Sequence, residues 1–488
     1  MAKQLKFDLC VIGAGSAGLS VAAGAQQMGA PTVLIERGEM GGDCLNYGCV
    51  PSKSLIAAAK HAHAMRASAA FGIAPVEPQV DYGRVHDHIH EVIDTIAPID
   101  SQERFEKLGV KVIRSQARFL KPDLVEAGDF HIKARRFVVA TGSSPFVPDI
   151  PGLDTVPYLT NETLFDNKHC PRHLIILGGG PIGMEMAQAH RRLGAEVTVI
   201  EMNRILSKDD PDLSDVVRRQ LIAEGVTLRE NSQAIRVGKG QEGVEVTVRR
   251  NNPNGIDDPD ADNDGEEIVS GSHLLVAVGR RPNVADLNLN AGEIDYTERG
   301  IKVDAGLRSI SNKRVFAIGD VAGQLQFTHV AGYHAGILIR KALFRVPAKS
   351  DLGAAPWVTY TDPEVAQVGL TEAAARDQYG DKVRVLHWSL EENDRAQTER
   401  RTEGFIKAMV KPNGKILGAS IVAPHAGEYI QMWALALEQK MKVSALATFI
   451  SPYPTYGEIN KRAAGSFYTP TLYSARTRAL VKFLSIFG

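Results

Sequence analysis

The chain has 488 residues, with 56 lysines and arginines against 57 aspartates and glutamates, and is 44% hydrophobic. The net charge of −1 gives no global electrostatic reason to expect nucleic acid, and no apolar run approaches the ~18 residues of a membrane-spanning helix. Four cysteines are too few for a disulfide-scaffolded secreted protein.

A chain of this length holds about two to four domains. The start, Met1-Ala2-Lys3-Gln4-Leu5-Lys6, is basic and leads into apolar residues. These run directly into a glycine fingerprint, so they read as a strand rather than a signal peptide. The expected compartment is the cytoplasm.

Phe7–Ile12 reads as a buried parallel strand. Gly13, Gly15 and Gly18 then open a helix through Met28, and Thr32–Ile35 forms the next strand with Glu36 at its end. This is a complete strand–helix–strand unit. Gly13 permits the tight turn, Gly15 lets backbone approach a pyrophosphate, and Gly18 allows close helix–strand packing. The helix N-terminus offers unpaired N–H groups and a positive dipole end to phosphates. Glu36 stands where an acid holds a ribose hydroxyl.

The run Gly41-Gly42-Asp43-Cys44-Leu45-Asn46-Tyr47-Gly48-Cys49-Val50-Pro51-Ser52-Lys53 follows. Two close cysteines in a reducing compartment point to redox or metal work. A disulfide can accept two electrons and two protons without leaving the protein. The attacking species is the thiolate, which positive charge or a helix N-terminus favours. Cys49 directly precedes a helix start at Val50–Lys53. A structural disulfide or half of a zinc site are the other readings, and no second cysteine pair completes a zinc site.

Ser54–Ala70 is Ala-rich and reads as helix, as does Asp81–Leu108, with Gly109 as its stop. Val110–Ile113, Ala117–Leu120 and Phe137–Ala140 are short strands, the last closed by Thr141-Gly142. Four prolines between Pro145 and Pro157 mark a linker. A second unit begins at His173–Leu177, with Gly178, Gly180 and Gly183 as its fingerprint, and Val197–Ile200 ending in Glu201. A carboxylate there favours a free 2′-hydroxyl and hence NADH, with NADPH the alternative because Arg204 is close.

Asp260, Asp262, Asp264 and Gly265 mimic the start of an EF-hand loop. The twelfth position holds Gly271 rather than the required glutamate, so a solvated hairpin tip is the better reading. No metal site is expected. Leu274–Val278 and Val315–Ile318 are further buried strands, followed by Gly279-Arg280 and by Gly319-Asp320. From about residue 351 the pattern becomes short alternating strands among amphipathic helices, an α+β domain with no nucleotide fingerprint. His86, His88 and His90 read as a polar helix surface, and Cys10 as a core residue. The tail Thr477–Phe487 reads as a helix packed on the protein surface, with an interfacial membrane anchor as the alternative.

Taken in order, these motifs resemble the pyridine nucleotide-disulfide oxidoreductase family, essentially end to end. The resemblance rests on both fingerprints, Cys44 and Cys49 with Pro51 and Lys53, Ala140-Thr141-Gly142, Gly279-Arg280, Ala317-Ile318-Gly319-Asp320 and the late Pro454-Thr455-x-x-Glu458. It implies an α/β chain with two Rossmann-like domains and a C-terminal α+β dimerisation domain. The FAD domain would comprise 1–155 and 275–350, the NAD(P)H domain 156–274 and the dimerisation domain 351–488. It also implies a homodimer in which the partner subunit supplies the acid–base residue.

The resemblance further implies FAD and NADH as cofactors. Cys49 would be the thiol beside the flavin, and Cys44 the interchange thiol that meets substrate. Lys53, paired with Glu185, would lie near the flavin N5. Glu36, Thr141, Gly142 and Asp320 would join the first fingerprint at FAD, and Glu201 and Gly279 the second at NAD. Tyr453 and Glu458 stand where dihydrolipoamide dehydrogenase and glutathione reductase place a His–Glu pair. Tyrosine, with a reference pKa of about 10 against about 6.5 for histidine, is the poorer base. The implied activity is electron transfer from NAD(P)H through FAD and the cysteine pair to a small disulfide, as in dihydrolipoamide dehydrogenase. A tyrosine at this position resembles mercuric reductase, so a metal-ion or metal-thiolate reductase is the alternative. A membrane-associated redox adaptor is a third reading.

Overall fold

The computed structural model describes residues 2–250 and 265–487. The EF-hand-like stretch therefore lies mostly outside the described residues. By its contacts the chain divides into two compact units: Met1–Arg66, Pro75–Met202 and Arg229–Asp351 form one, and Ala67–Ala74, Asn203–Leu228 and Leu352–Gly488 the other.

In the first unit, strand Lys3–Ile12 pairs in parallel with Thr32–Glu36 on one side and with Phe130–Val139 on the other. Lys111–Arg114 extends the sheet beyond Thr32–Glu36, and Val315–Ala317 pairs in parallel with the end of Phe130–Val139. Leu9, Cys10 and Val11 have no exposed surface, as expected of a parallel strand covered on both faces. Leu9 and Val11 join one core with helices Ser16–Gln27 and Thr328–Ala342, while Cys10 and Ile12 join another with Phe119 and Phe137. Burial pushes the Cys10 thiol far up, so it is inert, as its sequence context suggested.

Two details differ from expectation. The helix expected over Asp81–Leu108 is two helices, Tyr82–Asp100 and Gln102–Lys107. Ser101 lies between them in extended backbone, and its side chain accepts from the Arg104 N–H, so it caps the second helix. A strand at Leu124–Ala127, which lacks a strong alternating pattern, forms an antiparallel ladder with Ala117–Lys121 and Phe130–Val139.

The second fingerprint sits on an equivalent scaffold. Strand His173–Leu177 pairs in parallel with Glu196–Ile200 and with His273–Val276, and helix Pro181–Arg192 follows it. Gly243–Arg250 and Glu266–Gly271 are antiparallel partners, as the hairpin reading requires.

The other unit is built on a five-stranded antiparallel sheet with the order Pro356–Thr359, Glu364–Gly369, Ile416–Ala423, Phe405–Val410 and Arg384–Ser389. Helix Ala426–Glu438 covers it. Trp433 is wholly buried and donates its indole N–H to Asn460 Oδ1 at 2.9 Å, so its polar edge is satisfied. Lys407 is buried and reaches Asp210, Asp212 and Glu372 at 2.9–3.0 Å. Burial opposes its charge, but the three carboxylates overcome that and raise its pKa. The tail was expected to pack on the surface; within the single chain, helix Ala475–Leu484 has no buried residue. No helix among the described residues is long and apolar enough to cross a membrane.

Candidate active site

The cysteine pair stands at two consecutive helix starts. Cys44 lies in the short helix Gly42–Asn46, and Cys49 is itself the first residue of Cys49–Arg66, one position earlier than expected. Both are free thiols. Cys49 Sγ lies 3.5 Å from Thr328 Oγ1, at the start of helix Thr328–Ala342. The hydrogen bond from Cys44 is the main cause that lowers the Cys49 pKa to about 6; Thr328 and the Lys53 charge add to it, against the effect of burial. Cys44 is pushed well up, first by that same hydrogen bond, then by burial and the Cys49 charge. The two shifts are opposite in sign and share one cause, so the thiols titrate as a coupled pair in which the first proton lost is favoured to come from Cys49.

Lys53 is one turn further along the helix. Its Nζ is 2.7 Å from Glu185 Oε2, and the Glu185 side chain is only 6% exposed. The packing of Cys49–Arg66 against Pro181–Arg192 brings the first and second dinucleotide units together at this ion pair.

Both fingerprints show the same device. Glu36 Oε2 accepts the Ala14 N–H at 2.5 Å, and Glu201 Oε2 accepts the Gly179 N–H at 2.6 Å. Each acid at a strand end thus reaches the backbone between the first two fingerprint glycines. Gly13 and Gly178 adopt φ of +106° and +107°, where L side chains are strained. A Cβ on Gly18 would fall 1.8 Å from Gly13 O, and one on Gly183 2.0 Å from Gly178 O. A Cβ on Gly180 meets no atom within 4 Å, and one on Gly15 meets only Gly42 Cα at 3.9 Å. Protein packing does not require glycine at Gly15 or Gly180. A ligand approaching the backbone there does, and this fits a bound pyrophosphate in each unit.

Asp320 sits at the start of the single turn Gly319–Ala322. Its Oδ2 accepts from Ser143 Oγ at 2.6 Å. Burial pushes its carboxyl up, with Ser143 and Arg280 opposing. Thr141 and Gly142 are held by Asn283: Thr141 Oγ1 donates to Asn283 O at 2.7 Å, and the Asn283 N–H donates to Gly142 O at 3.0 Å. Gly279, at φ +133°, precedes strand Arg280–Pro282.

Sequence reasoning missed a polar network behind the cysteines. Arg280 Nη2 lies 3.0 Å from Asp43 Oδ1, and its Nε donates to Ser143 Oγ at 2.8 Å. Asn161 donates to Asp43 Oδ1 at 3.0 Å. Asp43, directly before Cys44, is thereby tied to the same serine that holds Asp320. The acid inside the redox loop was the available signal: a carboxylate beside two thiols needs a cation to offset it.

Tyr453 and Glu458 belong to the other compact unit. They do not bond to each other. Tyr453 OH donates to Asp394 Oδ2 at 2.7 Å, and this bond is the main cause that raises its pKa. Glu458 opens helix Glu458–Ser466 and pairs with Arg462 at 2.7 Å. His86 and His90 stack at 4.1 Å on one helix face, and the described residues contain no cluster able to hold a metal ion.

Residues 7–335 match the family model for pyridine nucleotide-disulphide oxidoreductases, and residues 355–464 match the dimerisation domain of that family, which supports a homodimer. The chain is 34% identical over 466 residues to a mercuric reductase of Lysinibacillus sphaericus, covering 94% of this chain and 82% of that protein. It is 31% identical over 470 residues to a dihydrolipoyl dehydrogenase of Geobacillus stearothermophilus, covering 94% and 96%. Among solved structures, the Cu(II) complex of the HOCl-induced flavoprotein disulfide reductase RclA from Escherichia coli superposes with a TM-score of 0.83 at 26% identity, over 95% of this chain and 99% of that one. Two fingerprints on parallel sheets, a proton-sharing cysteine pair and these matches along nearly the whole length agree: the chain belongs to the pyridine nucleotide-disulphide oxidoreductase family and is an FAD-dependent, NAD(P)H-linked disulfide oxidoreductase.

Proposed function

We propose that the enzyme uses NADH to reduce a small disulfide, with Cys44 as the thiol that meets substrate and Cys49 as the thiolate held toward the flavin. Two free thiols at consecutive helix starts, with Cys49 Sγ 3.5 Å from Thr328 Oγ1 and the Lys53–Glu185 pair one turn further on, carry this reading. FAD, when bound, supplies the two-electron relay between nicotinamide and the cysteine pair. The residues fit that division of labour. Glu36, Gly15, Thr141, Gly142 and Asp320 would hold FAD, and Glu201, Gly180 and Gly279 the NADH. Glu201, which accepts the Gly179 N–H at 2.6 Å, favours a dinucleotide with a free 2′-hydroxyl. Lys53, fixed by Glu185, would offer a cation to the negative charge of a reduced flavin when FAD is bound. Thr328 and the Lys53 charge favour the Cys49 thiolate. In the net reaction NADH and a proton are consumed and two substrate thiols form.

Tyr453 favours a second reading. Its hydroxyl proton is engaged by Asp394, so it serves as an acid or a ligand rather than a base at neutral pH. A soft metal ion bound to thiolates needs no such base, because the metal itself displaces the thiol proton. The mercuric reductase relatives and the Cu(II) complex of RclA support that alternative.

An anaerobic NADH titration of wild type and Cys44→Ser, followed by visible absorbance, tests the main reading. A long-wavelength thiolate–flavin band appearing at two electrons is expected. Direct flavin bleaching without that band would overturn the role of the pair. NADH oxidation driven by mercuric ion in excess small thiol, against a panel of disulfides, separates the two substrates.

A further inference from the structure

The helix Ala475–Leu484 and the turn Ser485–Phe487 carry a surface that the redox chemistry leaves unused. Leu480, Phe483, Leu484 and Phe487 follow the i, i+3, i+4, i+7 spacing and so share one face. They are 53–74% exposed, far above what a packed helix shows. The Phe483 and Phe487 rings meet edge to face at 5.4 Å, so the stripe is a continuous apolar ridge. Arg478 and Lys482, one turn apart, lie on the opposite side of the helix. Ser474 caps the helix by accepting the Thr477 N–H, so the segment has a defined start.

Charge identifies the occupant. Residues 463–488 contain Arg476, Arg478 and Lys482 and no aspartate or glutamate. A two-fold pairing of this helix with its own copy would bring like charges together without an acid to offset them. An anionic lipid surface matches both sides of the helix: acyl chains take the leucine and phenylalanine ridge, and headgroups take the cations. A ten-residue helix spans only ~15 Å, too little to cross a bilayer, so it lies in the interface plane. We propose that this segment is a reversible docking helix for an anionic membrane surface, which holds the oxidoreductase at the lipid boundary.

The test uses the full-length FAD-bound enzyme and sedimentation with vesicles of phosphatidylcholine plus phosphatidylglycerol, or of phosphatidylcholine alone. Wild type is expected to sediment with the anionic vesicles and to be released by salt. In Arg478→Gln/Lys482→Gln the partition should fall about 30-fold, which is about 2 kcal/mol at roughly 1 kcal/mol per basic residue. Leu480→Gln/Phe483→Gln/Phe487→Gln should abolish it, while NADH oxidation and the dimer stay unchanged. Wild type that stays in solution with anionic vesicles overturns the proposal, as do variants that still sediment like wild type. If the triple variant becomes monomeric, the ridge belongs to the subunit interface and the proposal fails.

Discussion

Tyr453 OH donates a hydrogen bond to Asp394 Oδ2 at 2.7 Å, while Glu458 is occupied by Arg462. The two side chains at the position of a His–Glu pair are thus each committed elsewhere. The carboxylate beside Tyr453 stabilises the phenol and raises its pKa, so the phenolate is scarcer at neutral pH than in a free tyrosine. Tyr453→His supplies a base with an ordinary pKa of about 6.5. Turnover with small disulfides at pH 7 should rise at least about 10-fold, short of the ~10²–10⁴ available to general acid–base catalysis. Tyr453→Phe should leave flavin reduction by NADH unaltered. Steady-state rates with a disulfide panel check this, and no gain in Tyr453→His would mean that proton removal does not limit the reaction.

Cys49 makes a prediction about pH. Its pKa is lowered to about 6, chiefly by the Cys44 hydrogen bond, from an ordinary value near 8.5. Thiolate absorbance of the reduced protein should therefore titrate with a midpoint of about 6. Cys44→Ala removes the largest cause and should move the midpoint up, toward the ordinary thiol range. The stability consequence has a definite sign. A depressed acid stabilises the fold fully above its unfolded pKa and loses that contribution as pH falls through its folded one. The reduced protein should therefore lose stability relative to Cys49→Ser as pH drops from about 9 through 6, read by urea unfolding.

The Lys53–Glu185 pair joins the helix of the cysteines to the helix of the second fingerprint. Lys53→Met takes the cation from a carboxylate that is only 6% exposed. A fully buried pair broken in this way costs about 3–5 kcal/mol; Lys53 is 37% exposed, so screening reduces the expected loss to about 2 kcal/mol. Lys53→Met/Glu185→Leu should recover much of that stability and still reduce flavin slowly. Urea unfolding and stopped-flow flavin reduction read the two effects separately. Equal recovery of both would make the pair purely structural.

These residues also divide what the sequence could and could not say. Gly13 to Glu36 and Gly178 to Glu201 were legible because each fingerprint and its acid fit within one strand–helix–strand unit, where spacing alone implies geometry. Cys44 and Cys49 were legible for the same reason. Thr328 meets Cys49 across 279 residues, and no local pattern announces such a contact. Arg280 was visible as part of a motif, but its bond to Asp43 joins strand Arg280–Pro282 to helix Gly42–Asn46, elements far apart in the chain. The break at Ser101 was hidden by apolar periodicity that continues through it. The tail was read as a helix packed on the protein surface, but burial is a tertiary property, and no residue of helix Ala475–Leu484 is buried within the single chain.

The fingerprint glycines separate folding from binding within one turn of chain. At Gly180 an added methyl meets no atom within 4 Å, so Gly180→Ala should fold with stability within about 0.5 kcal/mol of wild type. The methyl would occupy space that the NADH pyrophosphate needs, and the KM for NADH should rise at least about 10-fold, roughly 1.4 kcal/mol of binding. At Gly183 the same methyl lands 2.0 Å from Gly178 O, a backbone atom that cannot step aside. Gly183→Ala should therefore lose more than about 3 kcal/mol or fail to fold. Thermal unfolding beside NADH kinetics distinguishes the two. Unchanged NADH binding in a well-folded Gly180→Ala protein would remove the pyrophosphate from this turn, and with it the assignment of Gly178, Gly180 and Gly183 to NADH.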